Sequence, residues 1–200
     1  MNHPTADIER WLGQCAVRMI AAAPELNELD GRLGDGDLGA TLEKCARLML
    51  DVLADPSASP SDLFKGCALA CTRASGSSFG TLMAVAFMTL TKSTAGRSTL
   101  ESDDVASLLA EVRDALMARG RSKLGDKTML DSIEAIRVTA AVGRGTLLES
   151  QCLLAALHAL DAFRDRPNLV GRARMFGEKS IGLDDPGMVA VARILGAPRP

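Results

Sequence analysis

Apolar residues recur at intervals of three and four along nearly the whole chain, and this periodicity constrains the fold more than any other feature of the sequence. Alternation of apolar and polar residues, the pattern of a half-buried strand, is nearly absent, and the chain has no tyrosine. Eight apolar stripes predict eight amphipathic helices. These stripes run over residues 8–20, 42–53, 63–71, 79–90, 105–116, 130–138, 152–160 and 188–194. The sequence therefore predicts an all-α fold.

Prolines and capping residues set the expected helix ends. We expect the first helix to end near Pro24, because a proline in a helix interior removes a backbone hydrogen bond. Asp55-Pro56 should stop the second helix, and Ser61 or Asp62 should cap the start of the third. Gly120 is the expected C-terminal cap of the fifth helix.

The length and the charge balance predict one domain and exclude two classes of partner. Lys and Arg total 23 and Asp and Glu total 25 in 200 residues, so the net charge of −2 provides no field that attracts nucleic acid or an anionic membrane. No apolar run reaches the roughly 18 residues that cross a bilayer, and the first residues lack the pattern of a secretory signal. We expect a single cytoplasmic domain over residues 1–200. Its five cysteines should be reduced and buried.

The densest chemical signal is the segment from residue 30 to residue 39, in which Asp30, Asp35 and Asp37 are interleaved with glycines. Carboxylates so close together repel one another unless a cation lies between them. Carboxylate oxygens are hard ligands, and few protein ligands with room for water and phosphate suit Mg²⁺ best. The sequence therefore predicts a magnesium site at these three aspartates.

Two well-known motifs do not explain this segment. An EF-hand is excluded because Arg32 or Ala46 would occupy a ligand position, depending on the register. Residues 34–39 match the dinucleotide pattern G-x-G-x-x-G, but that pattern needs a preceding strand, and residues 24–29 do not have strand character. A solvated Asp-Gly turn is the structural alternative to a metal site.

Three further segments between predicted helices carry candidate ligand groups. Residues 74–81 contain small hydroxylated side chains and lead into a helix, so they favour either a phosphate site or an ordinary capped turn. Residues 120–129 offer Thr128 as a helix N-cap or as part of a ligand site. Residues 164–187 have no apolar period, and we expect them to form a lid.

With these motifs in order, the chain resembles the L subunits of dihydroxyacetone kinases over essentially its whole length. The resemblance rests on Ile8 with Trp11-Leu12, Leu29-Asp30, Gly34-Asp35-Gly36-Asp37, Ala74-Ser75-Gly76, Phe79-Gly80-Thr81, Arg119-Gly120, Gly125 to Met129, Gly171-Arg172-Ala173, Gly177-Glu178, Ser180-Ile181-Gly182 and Asp185-Pro186-Gly187. It implies an up-and-down barrel of eight amphipathic helices with the nucleotide and Mg²⁺ at one end.

The resemblance also implies site residues. It makes Asp30, Asp35 and Asp37 the ligands of a pair of Mg²⁺ ions that hold the phosphates of ADP or ATP. The further nucleotide contacts that it implies are Leu38, Gly39, Ala40, Thr41, Ala74, Ser75, Gly76, Gly120, Met129, Arg172, Asp185, Pro186 and Gly187. The chain departs from the family pattern at Leu38, where the family has histidine, and at Thr72-Arg73, where it has two glycines.

Finally, the resemblance implies a phosphotransferase made of two kinds of subunit. This chain would supply the nucleotide, and a separate K subunit would hold dihydroxyacetone or a related ketose such as erythrulose covalently through its own histidine. We expect His3 to lie in a frayed terminus and His158 to be an ordinary helix residue, so neither is expected to act as a base, which agrees with that division. The phosphoryl source is either ATP or a phosphotransferase-system protein that rephosphorylates bound ADP. The alternative is a nucleotide-loaded module that regulates a transcription factor without turnover.

Overall fold

The structure, a computed structural model, describes residues 2–74, 77–143 and 147–198. The helices are α1 (Thr5–Leu33), α2 (Leu38–Leu53), α3 (Pro60–Ala74), α4 (Ser78–Ser93), α5 (Asp104–Gly120), α6 (Met129–Val142), α7 (Leu148–Arg164) and α8 (Pro186–Ile194). A 3₁₀ helix, Ala173–Ser180, lies between α7 and α8, and strands β1 (Asn2–Pro4) and β2 (Thr99–Glu101) pair antiparallel. Within these ranges, the predicted all-α fold with eight α-helices is confirmed.

The eight helices form a closed barrel in which chain neighbours pack side by side. Each helix packs against the next one in sequence, and α8 returns to pack against α1. The connections α1–α2, α3–α4, α5–α6 and α7–α8 all border one cavity, so successive helices alternate in direction. The pairing of β1 with β2 ties the start of α1 to the α4–α5 connection. The arrangement is an up-and-down barrel with a cavity at one end.

The barrel core consists of the apolar stripes seen in the sequence. Leu42, Leu63 and Met188 are among the side chains with no exposed surface, and small residues such as Ala16 and Ala156 lie between them. Small side chains let neighbouring helices approach closely while the larger ones fill the interior. All five cysteines are free and buried, as the sequence predicts.

Helix α1 does not end at Pro24, and this prediction is wrong. The helix continues for nine residues to Leu33, with Pro24 on its exposed side. Ala23, Leu26 and Leu33 are buried on the inner side, each at most 2% exposed. Burial of these side chains against the rest of the barrel outweighs the hydrogen bond that proline removes. As a result, Asp30 belongs to α1 rather than to a loop.

Three smaller expectations also differ from the structure. The start of α3 is capped by Ser59, whose Oγ accepts from the N–H of Asp62, and not by the residues expected. The C-terminal cap of helix α5 is Arg121, which has a left-handed backbone with φ of 50°. Gly120, the expected cap, is instead the last helical residue. His3 is not part of a frayed terminus, because it lies in β1 and contacts the Ser102 hydroxyl at 2.9 Å.

The 164–187 segment is more ordered than its lack of apolar period indicates. The 3₁₀ helix occupies its centre and is kinked at Gly177, where φ is 50°. Asn168 and Ser180 are buried within it. Among the helices of the described residues, none combines the length and apolar character needed to cross a membrane.

Candidate functional site

A cavity of about 420 Å³ lies at the end of the barrel where four interhelical connections meet. Its lining contains acidic and basic side chains as well as many apolar ones. The lining consists of Asp30, Leu33, Asp35, Asp37, Leu38, Ser77, Ser78, Phe79, Thr81, Leu82, Leu116, Arg119, Gly120, Ser122, Thr128, Met129, Leu130, Val170, Gly171, Arg172, Ala173, Asp185, Pro186 and Gly187.

The three predicted metal ligands come together in this lining. One carboxylate oxygen from each of Asp30, Asp35 and Asp37 lies within 4.8 Å of the others. Asp30 projects from the last turns of α1, and its Oδ2 accepts hydrogen bonds from the N–H groups of Asp37 at 3.0 Å and Leu38 at 3.3 Å. A carboxylate of α1 therefore holds the start of α2 and fixes the turn between the two helices.

Two glycines and the mutual repulsion of the carboxylates characterise this turn. A Cβ atom at Gly34 would lie 2.7 Å from Oδ1 of Asp30, and Gly36 has a φ of 75°, so side chains are disfavoured at both positions. Desolvation, together with the charges of Asp35 and Asp30, raises the pKa of Asp37. A divalent cation among the three oxygens would remove this repulsion, and the donor set fits Mg²⁺.

Arg172 reaches across the cavity to the carboxylate cluster. Its guanidinium group forms an ion pair with Asp35, although the two residues are far apart in sequence. The side chains are 59% and 42% exposed, so the pair is accessible from solvent and can exchange for another anion. This contact brings the 164–187 segment against the α1–α2 turn.

The predicted contacts at the start of α2 lie next to the cavity rather than in its lining, except for Leu38. A Cβ atom at Gly39 would overlap the carbonyl group of Ala23, so Gly39 allows α2 to pack closely on α1. The N–H of Ala40 donates to Oδ1 of Asn27 at 3.0 Å. Thr41 donates its hydroxyl to Oγ of Ser77, which does line the cavity.

The second predicted segment is only partly described. Ser75 and Gly76 lie outside the described residues, and Ala74 is buried at the end of α3. Ser77 is the N-cap of α4, with its Oγ accepting from the N–H of Gly80 at 3.3 Å. The capped turn that the sequence allows is therefore present, and Ser77 and Ser78 also line the cavity.

The remaining predicted contacts form the opposite wall. Gly120, Met129, Asp185, Pro186 and Gly187 all line the cavity. Thr128 is the N-cap of α6 in a capping box with Asp131, so the N-cap interpretation of Thr128 is confirmed, and Thr128 faces the cavity as well.

Asp185 is the buried acidic group of this wall. Its Oδ1 accepts from the N–H of Met188 at 2.9 Å and so caps α8, and its Oδ2 accepts from the side-chain amide of Asn168 at 2.8 Å. Burial raises the pKa of Asp185 to about 6, although both hydrogen bonds act in the opposite direction. The side chain is held rigidly, next to the point where Pro186 and Gly187 enter the cavity lining.

Two features of the site are not predicted from the sequence. One is the apolar wall, which includes Leu33, Leu82 and Leu116 and which has the same helical period as ordinary core. The other is Lys127, a lysine with no exposed surface that lies directly before the wall residues of α6. The motif around Lys127 is visible in the sequence, but its burial is not.

This arrangement defines a class of protein. Three carboxylates can bind a divalent cation, Arg119 and Arg172 can pair with an anion, and the apolar wall can pack a flat ring. The fold and the cavity together define an all-α barrel with a candidate site for a metal ion and an anion at one end.

Comparison with known proteins identifies the family. A family model described as the DAK2 domain matches residues 32–198, and the chain belongs to this family. It is 29% identical over 178 residues to the ADP-binding subunit DhaL of the PTS-dependent dihydroxyacetone kinase of Lactococcus lactis, an alignment that covers 88% of this chain and 87% of that protein. It is also 29% identical to the L-erythrulose kinase of Pectobacterium atrosepticum, over 90% of this chain but 32% of that protein.

The fold has a solved counterpart. The dihydroxyacetone kinase of C. freundii, in complex with AMP-PNP and Mg²⁺, superposes with a TM-score of 0.76 over 98% of this chain and 34% of that chain. At 22% sequence identity this likeness shows the all-α barrel fold.

Proposed function

We propose that this chain is the nucleotide-binding subunit of a dihydroxyacetone-type kinase. It holds ADP or ATP with Mg²⁺ in the cavity and delivers the phosphoryl group to a short ketose that a separate K-type subunit binds. The observation that carries the proposal is the convergence of three carboxylates within 4.8 Å in the lining of a 420 Å³ cavity. The L. lactis relative, named as an ADP-binding subunit, supports the same assignment.

The charged residues have distinct roles in this proposal. Asp30, Asp35 and Asp37 hold a pair of Mg²⁺ ions, which when bound neutralise the charge of the phosphate groups. Arg172 exchanges its ion pair with Asp35 for a phosphate oxygen, because the metal then satisfies that carboxylate. The apolar wall packs against the base. The nucleoside is contacted by Gly120, Met129 and the 185–187 turn. The 164–187 segment covers the nucleotide as a lid.

The acceptor is expected to come from another protein. Among the described residues that line the cavity there is no histidine: His3 is in β1, and His158 is exposed on α7. Phosphoryl transfer depends mainly on positioning and charge neutralisation, so something must hold the acceptor hydroxyl in line with the terminal phosphate. We propose that the K-type subunit docks over the cavity end of the barrel and does this.

Reconstitution tests the proposal. Formation of ketose phosphate is measured with dihydroxyacetone or erythrulose, with and without a K-type subunit, and with either ATP or a phosphotransferase-system donor protein. We expect turnover only with the K-type subunit, saturating as its concentration rises, and lost when the partner lacks its ketose-binding histidine. Turnover by this chain alone, with host kinases excluded, would contradict the two-subunit mechanism. Retained Mg-ADP without turnover in any arm would favour the regulatory module.

A further inference from the structure

The ammonium group of Lys127 is buried and holds three backbone carbonyls. Its Nζ donates to the carbonyl oxygens of Arg164 at 3.0 Å, Arg166 at 2.7 Å and Ser180 at 3.0 Å. An ammonium group has three donors, so all of them are used. Lysine is rarely buried without such compensation, and Lys127 is fully buried. The side chain does not line the cavity, so its hydrogen bonds act on the surrounding backbone.

The three acceptors bracket the stretch of the 164–187 segment that forms a cavity wall. Arg164 and Arg166 precede residues 170–173, which line the cavity, and Ser180 follows them. One cation therefore holds the two ends of this stretch together. Ser180 reinforces the closure, because its Oγ accepts from the N–H of Asn168 at 2.9 Å.

The backbone of Lys127 connects the same segment to α8. Its carbonyl oxygen accepts from the side-chain amide of Asn168 at 2.9 Å, and that amide also donates to Asp185, the cap of α8. Thr128 and Met129, the next two residues along the chain, line the cavity. Lys127 is thus the point at which three parts of the cavity wall are joined.

We propose that Lys127 is a positioning residue of the nucleotide site, whose ammonium group holds the 164–187 segment in the form that presents Arg172 and the 185–187 turn to the carboxylate cluster. This inference rests on the proposed function, since it concerns the same nucleotide. Removal of the ammonium group leaves three buried carbonyls without a donor and frees the segment to open. If only about a tenth of the molecules keep the closed form, the apparent Kd for nucleotide rises about tenfold.

Lys127→Met tests the role, because methionine is similar in length but has no donor. Lys123→Met is the matched control, since Lys123 is an exposed lysine of the same α5–α6 connection. Leu63→Ala, which opens a cavity in the buried part of α3, controls for lost stability. The readouts are the Kd for ADP with Mg²⁺, measured by titration calorimetry at a temperature where every variant is folded, and the rate of tryptic cleavage after Arg172, Arg174 and Lys179.

We expect Lys127→Met to weaken Mg-ADP binding about tenfold and to speed cleavage at those three sites, while both controls keep wild-type values. If Lys127→Met does not fold, Lys127→Gln replaces it with the same expectations, because the glutamine amide has no charge and two N–H donors in place of three. Wild-type affinity in these variants, or equal weakening in Leu63→Ala, would overturn the inference and leave the proposed function standing. Absence of ADP binding by the wild-type protein would overturn both.

Discussion

Asp30 connects the fold to the candidate site through a single side chain. One of its oxygens accepts two N–H groups at the start of α2, and the carboxylate also belongs to the three-residue cluster. Replacement of Asp30 would therefore disturb both the helix start and the cluster. Asp37, which has no side-chain hydrogen bond to the start of α2, separates the two effects.

Asp37→Asn should abolish Mg-dependent ADP binding and leave the helical fold intact. Asparagine keeps the size of the side chain but removes the charge that a cation requires. Loss of even an outer-sphere partner costs about 10- to 100-fold in metal affinity, so loss of a ligand should exceed about 100-fold. Titration calorimetry gives the affinity and circular dichroism the helix content. Asp51→Asn, at an exposed position of α2, is the matched control. Wild-type affinity in Asp37→Asn would contradict the metal assignment.

Asp185 should make stability depend on pH. Its folded-state pKa of about 6 lies above the value of about 3.9 expected for an unfolded chain, so the folded protein binds this proton more tightly. The resulting stabilisation is complete below pH 4 and is lost as pH rises through 6. Relative to Asp185→Asn, the free energy of unfolding of the wild type should therefore fall by about 2 kcal/mol between pH 4 and pH 7.

Urea denaturation at a series of pH values measures this difference. The comparison of Asp51→Asn with wild type provides the baseline for an exposed carboxylate. If the difference in free energy of unfolding between wild type and Asp185→Asn does not change with pH, burial does not raise the pKa of Asp185.

At the scale of elements, the close approach of α1 and α2 positions the carboxylate cluster. Gly39 is the contact point, because a side chain there would overlap the carbonyl group of Ala23. Asn27 of α1 also binds the N–H of Ala40. The separation of these two helices therefore fixes where Asp37 lies relative to Asp30.

Gly39→Ala should push α2 away from α1 and lower the free energy of unfolding by about 3 kcal/mol, at the upper end of the usual cost of overpacking. Gly13→Ala is the matched control within α1, because its added Cβ would meet nothing within 4 Å. Alanine at that helical position should instead stabilise the protein by about 0.5 to 1 kcal/mol. Chemical denaturation gives both values, and equal effects of the two substitutions would refute the packing argument.

The elements that the sequence predicts well are those whose signal is local. The apolar stripes locate α2 to α8 because the helical period is visible within each segment. The end of α1 could not be located, since the residues after Pro24 remain helical through burial against distant parts of the chain. The same distinction applies to the site. The three aspartates are close in sequence, whereas the partners of Lys127 are backbone carbonyls of residues 164, 166 and 180, which no side-chain pattern marks.

At the scale of the whole molecule, the cavity couples ligand binding to folding, because its walls come from four connections of the barrel. Ligands that bind only the folded state stabilise it by about 2.7 kcal/mol at a hundredfold excess over Kd. In a chain of this size that corresponds to a rise in Tm of roughly 5 to 10 °C.

This stabilisation should require ADP and Mg²⁺ together, because the carboxylates and the phosphate groups repel one another unless a cation lies between them. Thermal melts of protein freed of copurified nucleotide, with ADP, Mg²⁺ or both, measure it. A joint shift no larger than that of either component alone would contradict a coupled site.

The distribution of the cavity walls along the chain also bears on biosynthesis. Asp30 leaves the ribosome about 155 residues ahead of Asp185, an interval of roughly 10 to 30 s at ordinary rates of translation. The closing contact between α1 and α8 cannot form before then. Throughout that interval the nascent polypeptide carries the aspartate cluster without its opposite wall. If the cavity binds nucleotide as proposed, binding therefore begins only after translation has passed α8, and chains that stall earlier gain no protection from it.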